Sequence, residues 1–295
     1  TTMVSSSAAS DVYKRQLPWC RKRRIPLIFD AVEWYDPSSI AAGLISPYQW
    51  NIELAMRFLA PRADGIIAIS SFLQEHFDRE GCLTVRVPPT LDTKAVEPNL
   101  DGGGGGRLVI SYTGNPARKD LFDDYLESVL RLDSRGRNIR LVAAGVSEER
   151  LMAFPAMRKR RLSSPPGCVE TKGVVSHSEA VALVRHADFS VLTRPPARNT
   201  QAGFPTKAVE SLAVGTPIIL NTTSDLGEYI HDGREGIICG DHRLGSLMDA
   251  MERALTLDPE QKRSMRIAAR RRAEESFDYR NFSEVLGSFI EKTRN

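Results

Sequence analysis

Short apolar runs alternate with segments of helical spacing along most of the chain. In the first third, buried strands are predicted in the apolar run of Ile25–Tyr35 that ends at Asp30, at Ala63–Ser70 and in the stretch LTVRVPP. Tyr48–Ala60 has the apolar spacing of a helix, and Ser70 or Ser71 is placed to cap a second helix that ends at Gly81. Because parallel strands need helix-length connections, this alternation predicts an α/β domain with a parallel sheet.

The same alternation returns after residue 106. The predicted strands are Leu108–Tyr112, Ile139–Ala143, VETKGVV, FSVLTRP and Pro217–Leu220. The predicted helices are one beginning at Asp120, then Ser178–His186, a short one between Pro205 and Gly215, Leu244–Leu257 and Pro259–Ser276, with a last segment at Tyr279–Lys292. A second parallel α/β domain is expected in this part of the chain.

The segment AGFPTKAVESLAVGTPIIL, Ala202–Leu220, has the pattern of a loop, a short helix and a buried strand. Pro205 suits the first turn of a helix and Gly215 suits its end. A glycine-led loop that enters a helix N-terminus favours anions, because backbone N–H groups and the helix dipole point the same way. Glu210, one turn into the helix, could accept two sugar hydroxyls. The alternative is an ordinary loop, helix and strand without a ligand.

Two stretches are predicted to lie outside the folded domains. Residues 1–16 are small and polar without periodicity, and we expect a non-native or disordered leader there. Asp101–Gly106, DGGGGG, is predicted to be a flexible linker. It is not followed by Gly-Lys-Ser or Gly-Lys-Thr and has no strand before it, which excludes a P-loop and a dinucleotide fingerprint.

Composition narrows the function classes. The chain of 295 residues is long enough for two domains, and its net charge of +3 is too small to argue for nucleic acid. The basic clusters Arg21–Arg24, Arg158–Arg161 and Arg270–Arg272 are predicted to be solvated faces, with contact to anionic lipid or an acidic acceptor as the alternative.

The four cysteines are scattered, without a CxxC pair or the histidine spacing of a zinc site. They are predicted to be reduced structural thiols of a cytosolic protein. The sequence contains no apolar stretch near the roughly 20 residues of a membrane span. A cytoplasmic location is therefore expected, with peripheral attachment to the inner face of the membrane left open.

Carboxylates and cations follow several predicted strands. Asp30 and Glu33 lie at the carboxyl end of the first strand, where open α/β sheets bind ligands, and are candidates for acceptor contacts or general-base work. A loop cap or a surface charge is the alternative for each. Lys119 lies between a predicted strand and helix, where a cation can meet a diphosphate, and a solvated lysine is its alternative.

The order "strand, TG…K, helix", then ADFSVLTR, then GFPTKAVESLAVGTPIILN…SDLGEYIHDGREGIIC resembles the nucleotide-sugar domain of the family-four, GT-B-type retaining glycosyltransferases. The resemblance extends from Ile25 to the C-terminus and is most specific at Gly203–Cys239. The PTK sequence is compatible with a subgroup of bacterial polysaccharide enzymes. The implied fold is α/β and GT-B-like, with two Rossmann-like domains built on parallel sheets.

The resemblance also implies a domain organisation. The family's first strand and glycine-rich acceptor loop would precede Ile25, so the first domain is expected to be incomplete and the chain N-terminally truncated. The expected domains are an acceptor-side domain at residues 17–100, a linker at 101–106, a nucleotide-sugar-binding domain at 107–276 and a C-terminal helix at 277–295 that returns to the first domain.

Roles for single residues follow from the resemblance. The donor diphosphate is expected at Gly203, Phe204 and Thr206, with Pro205 only shaping the loop, since proline cannot donate a hydrogen bond. The donor ribose is expected at Glu210. The family's glycine and basic residue after the first strand of this domain fall on Gly114 and Lys119.

The sequence departs from the family at two points. Ala202 occupies the place of the first of two paired glutamates and cannot bind a sugar hydroxyl with a carboxylate. Asn115 lies near the place of an arginine that often accompanies the lysine, so Arg194 or Lys207 is expected to supply the second positive charge.

The reaction implied by the resemblance is transfer of a sugar from a UDP- or GDP-linked donor to a saccharide or lipid-linked acceptor, in polysaccharide or glycoconjugate biosynthesis. Lys119 and Lys207 are the expected catalytic cations, because the leaving diphosphate gains negative charge in the transition state. No metal and no cofactor are expected. Two alternatives remain: a nucleotide-sugar epimerase of the same architecture, and an inactive nucleotide-sugar-binding fragment or partner subunit.

Overall fold

A computed structural model of the chain describes residues 16–37, 43–102, 105–116 and 120–294. The predicted leader lies outside these residues except for residue 16, and so do residues 103 and 104 of the predicted linker.

The chain divides into two compact units. Unit 1 consists of the described parts of Thr1–Thr90, Pro196–Phe204 and Tyr279–Asn295. Unit 2 consists of the described parts of Leu91–Pro195 and Pro205–Asp278. The boundary therefore falls before Leu91 rather than at residue 100, and a short segment from the middle of the chain belongs to unit 1.

The strands and helices are numbered in chain order. The strands are β1 Ile28–Ala31, β2 Gly65–Ala68, β3 Thr84–Arg86, β4 Leu108–Thr113, β5 Ile139–Ala144, β6 Val169–Thr171, β7 Phe189–Leu192, β8 Ile218–Leu220 and β9 Gly236–Ile238. The helices are α1 16–23, α2 Pro47–Leu54, α3 Ser71–Arg79, α4 Phe122–Ser134, α5 Glu148–Met152, α6 Pro155–Lys159, α7 His177–His186, α8 Arg198–Ala202, α9 Thr206–Ala213, α10 Leu226–Tyr229, α11 Leu244–Thr256, α12 Pro259–Ser276 and α13 Ser283–Lys292.

Unit 1 is built on a parallel sheet in the order β1-β2-β3. The helix predicted at Tyr48–Ala60 is present as α2, followed by a π-helical turn at Ala55–Leu59. Of the two predicted caps, Ser70 is the one that caps α3, and its hydroxyl accepts from the Leu73 amide. A β-carbon added to Gly65 would lie 2.6 Å from the Phe289 ring, so this glycine lets α13 approach β2 closely.

Unit 2 contains a parallel six-stranded sheet in the order β6-β5-β4-β7-β8-β9. Helices α4 and α11 pack against each other on the sheet, and α7, α9 and α12 form a second contacting group. The strand order runs in opposite directions from the pair β4 and β7. In open α/β sheets this reversal opens a crevice beyond the carboxyl ends of the strands, where ligands bind.

The α/β architecture with parallel sheets predicted from the sequence is confirmed. Helix α4 begins at Phe122 rather than at Asp120, and Asp120 instead turns into the protein. Helix α8 was not predicted, because five residues are too few to show a helical period.

Within the part of the chain that the structure describes, no helix is both long enough and apolar enough to cross a membrane.

The basic run Arg270–Arg272 differs from the solvated face that was predicted. Arg270 donates to the carbonyl oxygens of Thr93 (2.8 Å), Val96 (3.0 Å) and Ala213 (2.6 Å). Only Arg271 of the three projects well into solvent, with its side chain 69% exposed. The reason is that α12 lies along the segment after Leu91, whose backbone carbonyls need donors.

The neighbouring Arg266 is fully buried on the same helix. Its guanidinium donates to the carbonyl oxygens of Asn99 (2.6 Å), Ala187 (2.7 Å) and Arg185 (2.8 Å). Burial lowers its pKa to about 10. Arg266 thus joins α12, the end of α7 and the segment before β4 within unit 2.

Candidate functional site

Three of the predicted site residues meet at the point where the strand order of unit 2 reverses. Gly114 directly follows β4, Arg194 lies two residues beyond β7, and Lys207 is in the first turn of α9. Their meeting follows from the fold, because the carboxyl ends of neighbouring parallel strands lie at one edge of the sheet.

The centre of this cluster is a carboxylate that was predicted only to begin a helix. Asp120 is buried, and its Oδ2 accepts from the Lys207 ammonium (2.8 Å) and from the Tyr112 hydroxyl (2.8 Å). Its Oδ1 accepts from the Arg194 Nε (3.2 Å). One carboxylate therefore joins two cations that lie far apart in the sequence.

Lys207 lies over the loop after β4. Its ammonium is 4.5 Å from the centre of the Tyr112 ring, a cation–π distance. A β-carbon added to Gly114 would lie 2.8 Å from this ammonium, and one added to Gly145 would lie 2.6 Å from the Gly114 carbonyl. Both glycines have positive φ, +119° and +90°. They give the space in which Lys207 reaches Asp120.

Arg194 is fixed through its backbone. Its amide donates to the Asn221 side-chain oxygen (2.8 Å), and the Asn221 amide group donates back to the Arg194 carbonyl (2.9 Å). The preceding residue, Thr193, donates its amide to the buried Tyr125 hydroxyl (2.7 Å). The segment after β7 is thereby held on both sides.

The electrostatics favour an ionised carboxylate at the centre. Burial alone would raise the pKa of Asp120, but Lys207 and Arg194 outweigh burial and hold it below its ordinary value. Burial, together with the Asp120 charge, raises the pKa of Tyr112 far above its usual range, so this residue remains a neutral donor. The three charged side chains carry a net charge of +1, and Lys207 is the most exposed of them at 27%. The cluster can attract an anion.

Helix α9 carries the other two predicted donor-binding residues of unit 2. Thr206 is its exposed first residue, and Pro205 lies just before the helix instead of in its first turn, a difference of one position. Glu210 is half-buried one turn further on. Burial raises the pKa of its carboxyl group, with His177 and Lys207 acting in the opposite direction.

Gly203 and Phe204 belong to unit 1. Gly203 ends α8, and its amide, which was expected to face a diphosphate, donates to the Asn199 carbonyl oxygen (3.2 Å). The Phe204 side chain is buried, with 6% exposed. The amide role predicted for this loop therefore has no support at Gly203 in this structure. Lys119, the other expected catalytic cation, lies outside the described residues.

Ala202, at the place of the missing glutamate, is a core residue of unit 1. It is fully buried in the same core cluster as Phe29 and Leu73, and its carbonyl accepts from the Ser70 hydroxyl (2.6 Å). Of the predicted acceptor-side carboxylates, Asp30 lies within β1 and Glu33 in the loop after it.

A further cation stands beside the place where the family's arginine is absent. Arg150, from α5, donates to the Asn115 side-chain oxygen and to the Pro116 carbonyl oxygen (2.5 Å). The sequence contains no signal for the contact between Arg150 and Asn115, because these residues are 35 positions apart and lie on different elements.

Neither a metal centre nor a reactive thiol emerges from the described residues. Within 16–37, 43–102, 105–116 and 120–294, no group of three or more histidine, cysteine or acidic side chains could hold a metal ion. All four cysteines are free, and burial raises the pKa of Cys168 to about 11 and of Cys239 to about 12. Both thiols are thus poor nucleophiles.

Comparison with known proteins places this geometry in a family. Residues 107–257 match the profile "Glycosyl transferases group 1". A GDP-mannose-dependent alpha-(1-6)-phosphatidylinositol dimannoside mannosyltransferase of Mycobacterium tuberculosis is 30% identical over 224 residues, which cover 73% of this chain and 54% of the relative. An alpha-D-kanosaminyltransferase of Streptomyces kanamyceticus is 26% identical over 164 residues, covering 54% of this chain and 39% of the relative.

Solved structures show the same fold. Anabaena HepE in complex with UDP and glucose superposes with a TM-score of 0.74 at 14% identity, covering 96% of this chain and 76% of that protein. Sucrose-phosphate synthase from Thermosynechococcus elongatus has a TM-score of 0.71 at 16% identity, covering 93% and 70%. The chain spans about half the length of the mannosyltransferase that it matches. The profile covers half of the chain, and by this match the chain belongs to the group 1 glycosyl transferases.

Proposed function

We propose that this protein transfers a sugar from a nucleoside-diphosphate sugar to a saccharide or lipid-linked acceptor, with retention of the anomeric configuration. The observation that carries the proposal is the cluster of Lys207, Arg194 and Asp120 beyond β4 and β7, at the crevice of the unit 2 sheet. It combines a net positive charge with the start of α9, and a diphosphate requires both a cation and N–H donors.

The proposed donor is UDP- or GDP-linked. Supporting observations are the UDP in the structure of Anabaena HepE and the GDP-mannose dependence of the M. tuberculosis relative. Glu210 is proposed to accept the ribose hydroxyls, since its carboxylate lies one helical turn beyond Thr206 and three residues beyond Lys207. No cofactor is proposed.

The cations are proposed to act on the leaving group. As the bond to the sugar breaks, the diphosphate gains negative charge, and groups placed beforehand to receive it stabilise the transition state more than the ground state. Lys207 and Lys119 are the proposed cations, and losing one should cost about 2–4 kcal/mol of barrier, as for an oxyanion-hole donor.

For the acceptor and the biosynthetic role, only the chemical class is proposed. The M. tuberculosis relative is named for transfer to a phosphatidylinositol dimannoside, which supports a lipid-linked or saccharide acceptor and a role in polysaccharide or glycoconjugate biosynthesis. We assign the acceptor side to unit 1. A cytoplasmic location, with peripheral contact with the membrane as an alternative, remains part of this proposal.

The test is calorimetric titration of the chain with UDP and GDP, followed by the same titration of Glu210→Ala. We expect the parent to bind one of the two nucleotides. Glu210→Ala should bind that nucleotide at least about tenfold more weakly, because a charged hydrogen-bond acceptor is lost. Glu252→Ala, on the surface of unit 2, is the matched control. Binding of neither nucleotide would contradict the proposed function, and unchanged binding by Glu210→Ala would remove only the ribose assignment.

Product analysis separates the epimerase alternative. Incubation of the donor without an acceptor is expected to leave its sugar unchanged, whereas an epimerase would convert it. The two sequence relatives, the mannosyltransferase and the kanosaminyltransferase, are both named as transferases and lend no support to an epimerase.

A further inference from the structure

We propose that Asp120 is a positioning residue, which holds Lys207 and Arg194 at the carboxyl ends of β4 and β7 so that both cations face a donor diphosphate. The inference rests on the proposed function and adds to it a residue that neither the sequence motifs nor the comparisons assign. It is carried by the geometry around the two oxygens of one carboxylate.

Each oxygen of the Asp120 carboxylate binds a different cation. Oδ1 accepts from Arg194 (3.2 Å), while Oδ2 accepts from Lys207 (2.8 Å). A carboxylate that accepts a charge-assisted hydrogen bond at each oxygen has a fixed orientation. The same hydrogen bonds fix the direction of the Arg194 and Lys207 side chains. The Tyr112 hydroxyl donates to Oδ2 as well (2.8 Å) and joins Asp120 to β4.

The three charges are arranged by depth. The side chain of Asp120 is 3% exposed, that of Arg194 is 10% exposed and that of Lys207 is 27% exposed. An anion that approaches from solvent therefore meets Lys207 first, with the carboxylate behind it. Such an order attracts a diphosphate and keeps the carboxylate out of direct repulsive contact with it.

A simple counter-charge would behave differently from a positioning group. If Asp120 only cancelled positive charge, its removal would raise the local charge from +1 to +2 and tighten the binding of a diphosphate, more strongly at low salt. If Asp120 positions Lys207 and Arg194, its removal frees a flexible lysine from its anchor and weakens binding in spite of the added charge. The two roles thus predict effects of opposite sign.

The experiment titrates the full chain and its variants with UDP and GDP, and with uridine and guanosine as probes that lack phosphate. Asp120→Asn is expected to weaken binding of the diphosphate about tenfold or more, the size of one charge-assisted hydrogen bond, and to leave binding of the nucleoside unchanged. Asp124→Asn, on α4, is the matched control and should bind both probes as the parent does.

Tyr112→Phe keeps the proposal testable if Asp120→Asn does not fold. It removes the hydrogen bond from Tyr112 to Asp120 and a longer one from the Lys207 ammonium to the Tyr112 hydroxyl (3.4 Å), without changing any charge. It is expected to weaken diphosphate binding about threefold to tenfold with nucleoside binding unchanged. In a Lys207→Met background, Asp120→Asn should have a smaller effect than in the parent, because the anchored group is gone.

Tighter or unchanged diphosphate binding in Asp120→Asn overturns the positioning role, and so does an equal loss for diphosphate and nucleoside. If Asp120→Asn does not fold, unchanged diphosphate binding by Tyr112→Phe overturns the positioning role. These results leave the proposed function intact as long as the parent binds UDP or GDP. If the parent binds neither nucleotide, the proposed function fails and this inference fails with it.

Discussion

Gly145 lies so close to Gly114 that a β-carbon on the former would be 2.6 Å from both the carbonyl carbon and the carbonyl oxygen of the latter. The two glycines bring the loops after β4 and β5 into backbone contact. Neither loop can yield easily, because the Gly114 amide also donates to the Ala144 carbonyl oxygen (2.9 Å).

Gly145→Ala is therefore expected to lower the free energy of unfolding by more than about 2 kcal/mol, the sum of a strained backbone and a steric clash. Gly136→Ala is the control, since Gly136 also has a positive φ (+75°) but nothing within 4 Å of the added carbon. It should cost only about 1 kcal/mol. Urea unfolding of both variants measures the difference, and equal losses would mean that the contact between the loops is unimportant.

Arg266→Met is expected to destabilise unit 2 by about 2 kcal/mol or more. The variant removes the guanidinium donor of the Asn99 and Ala187 carbonyls, while the Arg185 carbonyl keeps a hydrogen bond from the Asn99 side-chain amide (3.2 Å). Each lost donor costs on the order of 1 kcal/mol or more. Arg271→Met, on the same helix but exposed and paired with Glu275, should stay within about 0.5 kcal/mol of the parent. Thermal unfolding of the two variants checks the contrast, which an equal shift would refute.

Glu210 should make stability depend on pH in a defined direction. Burial raises the pKa of this carboxyl above its ordinary value of 4.5, so the folded protein disfavours the ionised form. In the window above pH 4.5 the folded state holds the proton more tightly than the unfolded state, and stability falls as the pH rises towards the folded pKa. Glu210→Gln should lack this fall.

The measurement is urea unfolding of the parent and of Glu210→Gln at several pH values from 4.5 upwards. The stability of the parent relative to the variant should decrease with rising pH and then level off. A difference that stays constant, or that increases with pH, would show that the carboxyl group is not disfavoured when ionised. Glu252→Gln, at a glutamate of α11 whose side chain is 39% exposed, serves as the control variant.

Binding of the donor nucleotide is expected to be independent of divalent metal. The cations Lys207 and Arg194 already supply positive charge beside the start of α9, which is the task that a metal ion performs in other sites. Titration with UDP or GDP should give the same dissociation constant with and without EDTA. Loss of binding in EDTA would contradict the expectation, and recovery on adding Mg²⁺ would identify the missing ion.

Much of the fold was predictable because the signals are local. The bounds predicted for α12, Pro259–Ser276, are those observed, since Asp258 and Gln261 form a capping box and Pro259 occupies the first position of the helix. Strands β4, β5, β7 and β8 of unit 2 are mostly buried, largely apolar runs, which the hydrophobic pattern of the sequence indicates. Helix α8 escaped prediction because its five residues cover little more than one turn.

The site was predictable in its parts but not in its centre. Gly114, Arg194 and Lys207 were predicted as site residues through the family resemblance. Asp120 could not be predicted as a site residue, since its partners Arg194 and Lys207 are 74 and 87 positions away in the sequence. A carboxylate that precedes a helix looks like a cap in the sequence, and only the packing of Tyr112 and α9 gives it another role.

The assignment of Pro196–Phe204 to unit 1 has a consequence for how relatives can exchange parts. A recombination event, or a chimera, that replaces the continuous stretch from Leu91 to Asp278 would carry this segment along with unit 2. The recipient would receive a foreign Arg198, which pairs with Glu53 (2.5 Å), and a foreign Ala202, which fills the core around Phe29. Unit 2 therefore cannot be exchanged as one continuous stretch without also replacing part of unit 1. Chimeras should fold only when both parents have compatible residues at Arg198, Ala202 and their partners in unit 1.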